Sequence, residues 1–188
     1  MLHRLEVAAE VPDRAHRICL IGLRGAGKST LGRRAGEAFG LPFVELNEDI
    51  EVQGGMPVAE IMALYGAEGY RQLEAEAVRR VAARNDRLIL AVAGGIVSEP
   101  ETYATLLARY HTIWLKAAPE EHMARVRAQG DIRPMEGQPR AMDQLRALLE
   151  ARAPDYARAD AQLDTSGKTE EQSLQAMLTL IRNKGFLD

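Results

Sequence analysis

The chain has 188 residues, 46% hydrophobic and 27% charged, and its 24 Lys+Arg against 27 Asp+Glu leave a formal net charge of −3. That is an ordinary globular composition, enough for one well-filled core and short of two domains at about 150 residues each. A pI near 5.9 without a long Lys/Arg run excludes non-specific nucleic-acid or anionic-membrane binding, and no apolar run approaches the ~20 residues that span a bilayer, so a cytoplasmic protein is expected.

Residues 1–16 are polar, with Glu6, Glu10, Asp13 and Arg14 and no signal-peptide core. They are expected to form a flexible extension or the remnant of a linker, with the folded domain running over 17–188. Short apolar runs then alternate with helical patterns, the sequence form of an α/β protein with a parallel sheet. Five strands are predicted at 17–22, 43–46, 88–93, 112–116 and 162–164. A helix over 28–39 stops at Gly40, Met56-Pro57 opens a helical stretch, and 68–84 carries Leu73, Ala77, Val78 and Val81 at helical spacing. Further helices are predicted at 100–110 and 119–129, each opened by proline, and at 142–153 and 170–183. Residues 130–140 (GDIRPMEGQPR) hold two glycines, two prolines and two arginines, a composition for a mobile surface loop. The single cysteine, Cys19, lies between Ile18 and Leu20 and reads as a buried strand residue in a reducing compartment. His3, His16, His111 and His122 are scattered without zinc-ligand spacing, His111 reading as a strand end and His122 as a helix-surface residue.

The chemistry-bearing motif is Gly22-Leu23-Arg24-Gly25-Ala26-Gly27-Lys28-Ser29, which fits G-x-x-x-x-G-K-[ST] between an apolar strand and a helix. Glycines let the backbone curl so that N–H groups from Gly22 through Thr30 point at phosphate oxygens, and the helix adds the positive end of its dipole. Lys28 brings a full charge to the β- and γ-phosphates of ATP or ADP, and Ser29 supplies an oxygen for Mg²⁺.

With this phosphate loop, the pair Tyr70-Arg71 in a long helix, Ala91-Val92-Ala93-Gly94-Gly95 after a strand, Ile132-Arg133-Pro134 in a loop and Arg152-Ala153-Pro154-Asp155-Tyr156 downstream, the sequence resembles shikimate kinase over about residues 17–183. The resemblance implies a P-loop fold with a five-stranded parallel sheet, and a lid at about 130–140 whose Arg133 closes over ATP. It also implies that Arg71 and Arg152 hold the substrate carboxylate, as the guanidinium fork does well. Read alone, Arg71 could equally pair with Glu74 or Glu68, and Arg152 could cap a helix end. Adenine would lie between Arg125 or Arg127 and the loop at Thr165-Ser166-Gly167, and spacing does not decide between the two arginines.

Two departures from the family pattern fall at the acceptor site. Where the kinases carry Asp-x-Asp, this chain has Glu45-Leu46-Asn47. Glu45 can serve Mg²⁺ with Ser29, but the Asn47 amide orients a hydroxyl without being able to take its proton, a contribution typically worth ~10²–10⁴ in rate. Glu48 or Asp49 could substitute. Ala93 stands where the family has the first of three glycines, leaving Gly94 and Gly95.

The runs 45–69 (ELNEDIEVQGGMPVAEIMALYGAEG), 90–100 (LAVAGGIVSEP), 111–115 (HTIWL) and 121–135 (EHMARVRAQGDIRPM) also resemble the effector domain of bacterial benzoyl-CoA-responsive repressors. That resemblance implies an aromatic acyl-CoA effector in place of substrate, a helix-turn-helix domain missing from the N-terminus, and an apolar pocket drawn from Met56, Ile61, Met62, Leu64 and Tyr65. No direct nucleic-acid binding by this chain is expected. Two functional readings follow: a ligand-sensing domain, taken as the leading one, and an active kinase in which Lys28, Arg133 and Asn47 act on the transferring group and its acceptor. A P-loop scaffold with only structural nucleotide is a third.

Overall fold

The computed structural model describes residues 13–128 and 140–188. Five strands form its sheet: β1 (His16–Ile21), β2 (Phe43–Glu45), β3 (Arg87–Ala91), β4 (His111–Lys116) and β5 (Ala161–Asp164). All neighbours are parallel, in the order β2-β3-β1-β4-β5. The α/β parallel-sheet expectation therefore holds, with strand ends within about two residues of those predicted.

The helices are α1 (Lys28–Phe39), α2 (Leu46–Gly54), α3 (Val58–Arg84), α4 (Pro100–Arg109), α5 (Pro119–Ala128), α6 (Arg140–Tyr156) and α7 (Glu170–Asn183), with a short 3₁₀ turn at Gly94–Ser98. They cover both faces, which is why β1 is apolar at every position from Ile18 to Ile21. Successive side chains alternate between faces: Cys19, Ile21, Leu88, Leu90 and Trp114 join a core with α2, α3, α4 and α6. Ile18, Leu20, Ile89, Ile113 and Leu115 join a second core with α1 and α7. Cys19 is fully buried, as expected, and burial pushes its thiol far above the usual range.

Two elements, β2 and α6, differ from the sequence reading. β2 stops at Glu45 and α2 begins at Leu46, so Asn47 lies in a first helical turn. Between them, residues 58–84 form two helical stretches joined at the non-helical Gly66 (φ 71, ψ −179), in keeping with the separate stretches predicted after Met56-Pro57 and over 68–84. α6 runs through Pro154 to Tyr156. The proline removes one helical N–H, but the Tyr156 ring is fully buried and stacks on Trp114 with ring centroids 5.4 Å apart, and that packing holds the last turn in place.

All five strands point their carboxyl ends at the same edge, where parallel α/β sheets bind ligands. Among the described residues, no helix is long and apolar enough to cross a membrane.

Candidate active site

The β1–α1 turn is built around Gly22. Its φ of +144° suits glycine, and a Cβ there would stand 2.6 Å from the Leu115 carbonyl oxygen. Gly27 opens α1 in the left-handed region, and no side chain caps that helix, so its first N–H groups are available to an anion. Lys28 Nζ donates to the loop's own carbonyls, Gly22 O at 2.7 Å and Leu23 O at 2.9 Å. Burial pushes the Lys28 ammonium down to about 8, with Glu45 opposing the shift and Arg152 adding to it. The Ser29 hydroxyl donates to Glu45 Oε1, joining the first turn of α1 to the end of β2. Burial raises the Glu45 carboxyl above its usual range, against the pull of that bond.

On the outer side of the loop, Arg125 on α5 donates to Gly25 O and Ala26 O at 3.2 and 3.3 Å and reaches Thr165 Oγ1 at 3.4 Å. It borders a cavity of about 360 Å³ shared by the loop, Thr30 and Lys168. Arg127 is exposed two residues further along α5. The structure thus brings Arg125 to the phosphate loop and the β5 end.

On the inner side, a second cavity of about 440 Å³ is lined by Lys28, Ser29, Glu45, Asn47, Ala93 and Gly94, among others. Both departures from the family pattern therefore face the same space. A Cβ on Gly95 would stand 2.7 Å from Arg71 Nη2 and 3.3 Å from Arg152 Nη2. Two guanidinium groups thus converge over one glycine, from helices 81 residues apart in sequence (152 − 71). The Arg71 Nη1 donates to Glu74 Oε1 at 2.7 Å, so the pairing read as an alternative role for Arg71 instead holds it at the cleft. Tyr156 donates to Gly94 O at 2.7 Å and is hydrogen-bonded to Arg152; burial raises its phenol above the usual value.

The structure corrects several expectations. His122 is not a helix-surface residue: it is 1% exposed, with Nδ1 3.2 Å from the Arg24 carbonyl, and burial lowers its imidazole. Asp49 does not replace a carboxylate at 47, because its side chain is tied to Arg80; Glu48 is exposed. Met56, Ile61, Met62, Leu64 and Tyr65 form no common pocket: Ile61 is in the core, while Met62, Leu64 and Tyr65 are 42%, 67% and 61% exposed. The helix break at Gly66 and one-sided packing of residues 58–65 explain the difference. Arg133, most of the expected lid and the first 12 residues lie outside the described residues.

The sequence reading missed the hydroxyl of Tyr70 as a partner of Asn47 and the structural weight of Glu74. The i, i+3 spacing of Arg71 and Glu74 was the available signal for Glu74.

A Walker-type loop between β1 and α1, a β2-β3-β1-β4-β5 parallel sheet and a two-sided cleft at the strand ends define a P-loop protein of the nucleoside-monophosphate-kinase type. The shikimate kinase family model matches residues 24–182, and the chain belongs to that family. The shikimate kinase of Symbiobacterium thermophilum is 40% identical over 168 residues, spanning 89% of this chain and 94% of that protein. That of Thermus thermophilus is 34% identical over 169 residues, 90% of this chain and 91% of that protein. Among solved structures, the Acinetobacter baumannii shikimate kinase in complex with shikimate aligns with a TM-score of 0.78 and 28% identity, over 89% of this chain and 93% of that one. These likenesses to kinases overturn the effector-domain expectation and, with it, the aromatic acyl-CoA ligand.

Proposed function

We propose that this chain is an ATP-dependent phosphotransferase acting on shikimate, moving the γ-phosphoryl group to a ring hydroxyl. The observation that carries the reading is the position of Gly94. A Cβ there would stand 3.1 Å from Gly22 O and 3.3 Å from Arg152 Nη1, so one glycine separates the phosphate loop from the arginine suited to a carboxylate. A cleft with an anion cradle on one wall and two converging guanidinium groups on the other suits a nucleotide and a carboxylated acceptor together.

The Ser29 hydroxyl and Glu45 carboxylate are both hard oxygen donors and already touch. They fit Mg²⁺, which takes one or two protein oxygens and completes its shell with phosphates and water. Bound there, the ion neutralises charge on the phosphate oxygens. Lys28 exchanges its two carbonyl partners for phosphate oxygens, whose negative charge favours the ammonium form. Arg71 and Arg152 fix the acceptor by its carboxylate, and Asn47 orients the hydroxyl. The acceptor oxygen bonds to phosphorus as the bond to the ADP oxygen breaks. With no basic oxygen at residue 47, the hydroxyl proton passes late to a phosphoryl oxygen, which a loose transition state permits. Arg125 packs beside the nucleotide base.

The test is ADP release from Mg-ATP with and without millimolar shikimate. Expected is shikimate-dependent turnover that Lys28→Met abolishes. No dependence on shikimate, at enzyme concentrations revealing rates thousands of times below the ~1–10³ s⁻¹ usual for enzymes, would overturn the reading.

A further inference from the structure

The carboxamide of Asn47 is held in one orientation. The Tyr70 hydroxyl donates to Asn47 Oδ1 at 2.7 Å, the usual length of an O–H···O bond. A phenol has one proton to give, and the other acceptor within reach, Glu74 Oε2, lies further away at 3.2 Å. Tyr70 cannot easily swing aside: it is 6% exposed, and the Arg71 guanidinium lies over its ring, 5.4 Å from the centroid. A carboxamide carries its oxygen and nitrogen in one plane, on opposite sides of the Cβ–Cγ axis. With Oδ1 turned to Tyr70, the Nδ2–H₂ end is left for the cleft that Asn47 lines with Lys28, Glu45 and Gly94.

We propose that Tyr70 is a specificity-determining positioning residue, whose hydroxyl locks the Asn47 carboxamide so that the acceptor site presents a hydrogen-bond donor. The inference rests on the shikimate reading of the cleft and deepens it. A donor at that point takes ligands with a lone pair, a hydroxyl or a carbonyl oxygen, and rejects a ligand group that can only donate. An aspartate at the same position has the opposite preference. The pair Tyr70–Asn47 thus inverts the polarity of the site and leaves the acceptor's own proton directed away from residue 47.

The experiment measures binding by calorimetry without ATP, using the full chain. The ligands are shikimate and two analogues, one with a carbonyl and one with an ammonium group in place of the phosphoryl-accepting hydroxyl. Wild type is expected to bind the keto analogue within about threefold of shikimate and to prefer it over the ammonium analogue by about a hundredfold. Tyr70→Phe frees the carboxamide to turn Oδ1 toward the ammonium, so the preference shrinks about tenfold or more while shikimate affinity moves less than about threefold. Asn47→Asp reverses the preference. A purely structural Tyr70 would weaken all three ligands alike; an unchanged ratio in Tyr70→Phe, or a wild type indifferent between the two analogues, overturns the proposal. Bound shikimate with an unchanged ratio overturns this inference alone, whereas wild type that binds none of the three overturns the acceptor reading together with it.

Discussion

Arg71 and Glu74 sit one turn apart on α3, the guanidinium reaching into the cleft and the carboxylate fully buried behind it, 2.7 Å from Nη1 to Oε1. Burial raises the Glu74 carboxyl above its ordinary range, while the bond from Arg71 and its charge pull it back. Glu74→Gln keeps the shape and removes the charge, and shikimate KM is expected to rise about tenfold with a smaller change in kcat. Glu74→Ala leaves the Arg71 guanidinium without its buried acceptor and is expected to lower unfolding free energy by about 1–3 kcal/mol in urea titrations. Equal urea midpoints for wild type and Glu74→Ala would show that the carboxylate does not organise this part of the fold.

Gly95 lies against both Arg71 and Arg152. A methyl group there would meet Arg71 Nη2 at 2.7 Å and Arg152 Nη2 at 3.3 Å. Gly95→Ala is expected to displace both guanidinium groups and raise shikimate KM by about tenfold or more, leaving ATP affinity within about twofold. Separate titrations of the two ligands check it.

Lys28 gives the unliganded protein a pH dependence of stability. In the folded chain its ammonium titrates at about 8, while unfolded it keeps its proton to the ordinary 10.5. Between those values the unfolded state binds more protons, so this residue makes stability rise with pH and contributes nothing further above them. Urea denaturation at several pH values from 7 to about 10.5 should show an upward slope in wild type relative to Lys28→Met. Parallel curves for the two proteins would show that Lys28 is not desolvated.

Arg125 bonds to the phosphate loop and to Thr165 at the end of β5. Arg125→Ala is expected to weaken ATP binding by about tenfold while leaving shikimate binding in the absence of nucleotide unchanged, and Arg127→Ala to change neither by more than about twofold. A larger loss from Arg127→Ala would exchange their roles.

The phosphate loop was legible because its chemistry is contiguous: glycines, lysine and serine act within eight residues of one strand–turn–helix. The parallel sheet was legible because strands buried on both faces read as apolar runs. The opposite wall of the cleft was only half legible. Arg71, Arg152, Gly94 and Gly95 came from a family pattern, while their convergence depends on how α3 and α6 pack across the 3₁₀ turn at Gly94–Ser98. Local spacing says nothing of that packing. The Tyr70–Asn47 bond joins residues 23 apart through the packing of α2 on α3, and a tyrosine in a helical apolar stripe reads first as core. Pro154 was misleading for the same reason, since the buried Tyr156 beyond it outweighs the local preference to end the helix.

The break at Gly66 divides α3 into two stretches, so the helical phase of the first does not run on into the second. In a continuous helix each added or deleted residue rotates everything beyond it by about 100°, and a change near Val58 would swing Tyr70, Arg71 and Glu74 away from the cleft. The non-helical joint at φ 71, ψ −179 absorbs that rotation. A change in the stretch before it therefore need not turn the ligand-facing residues after it.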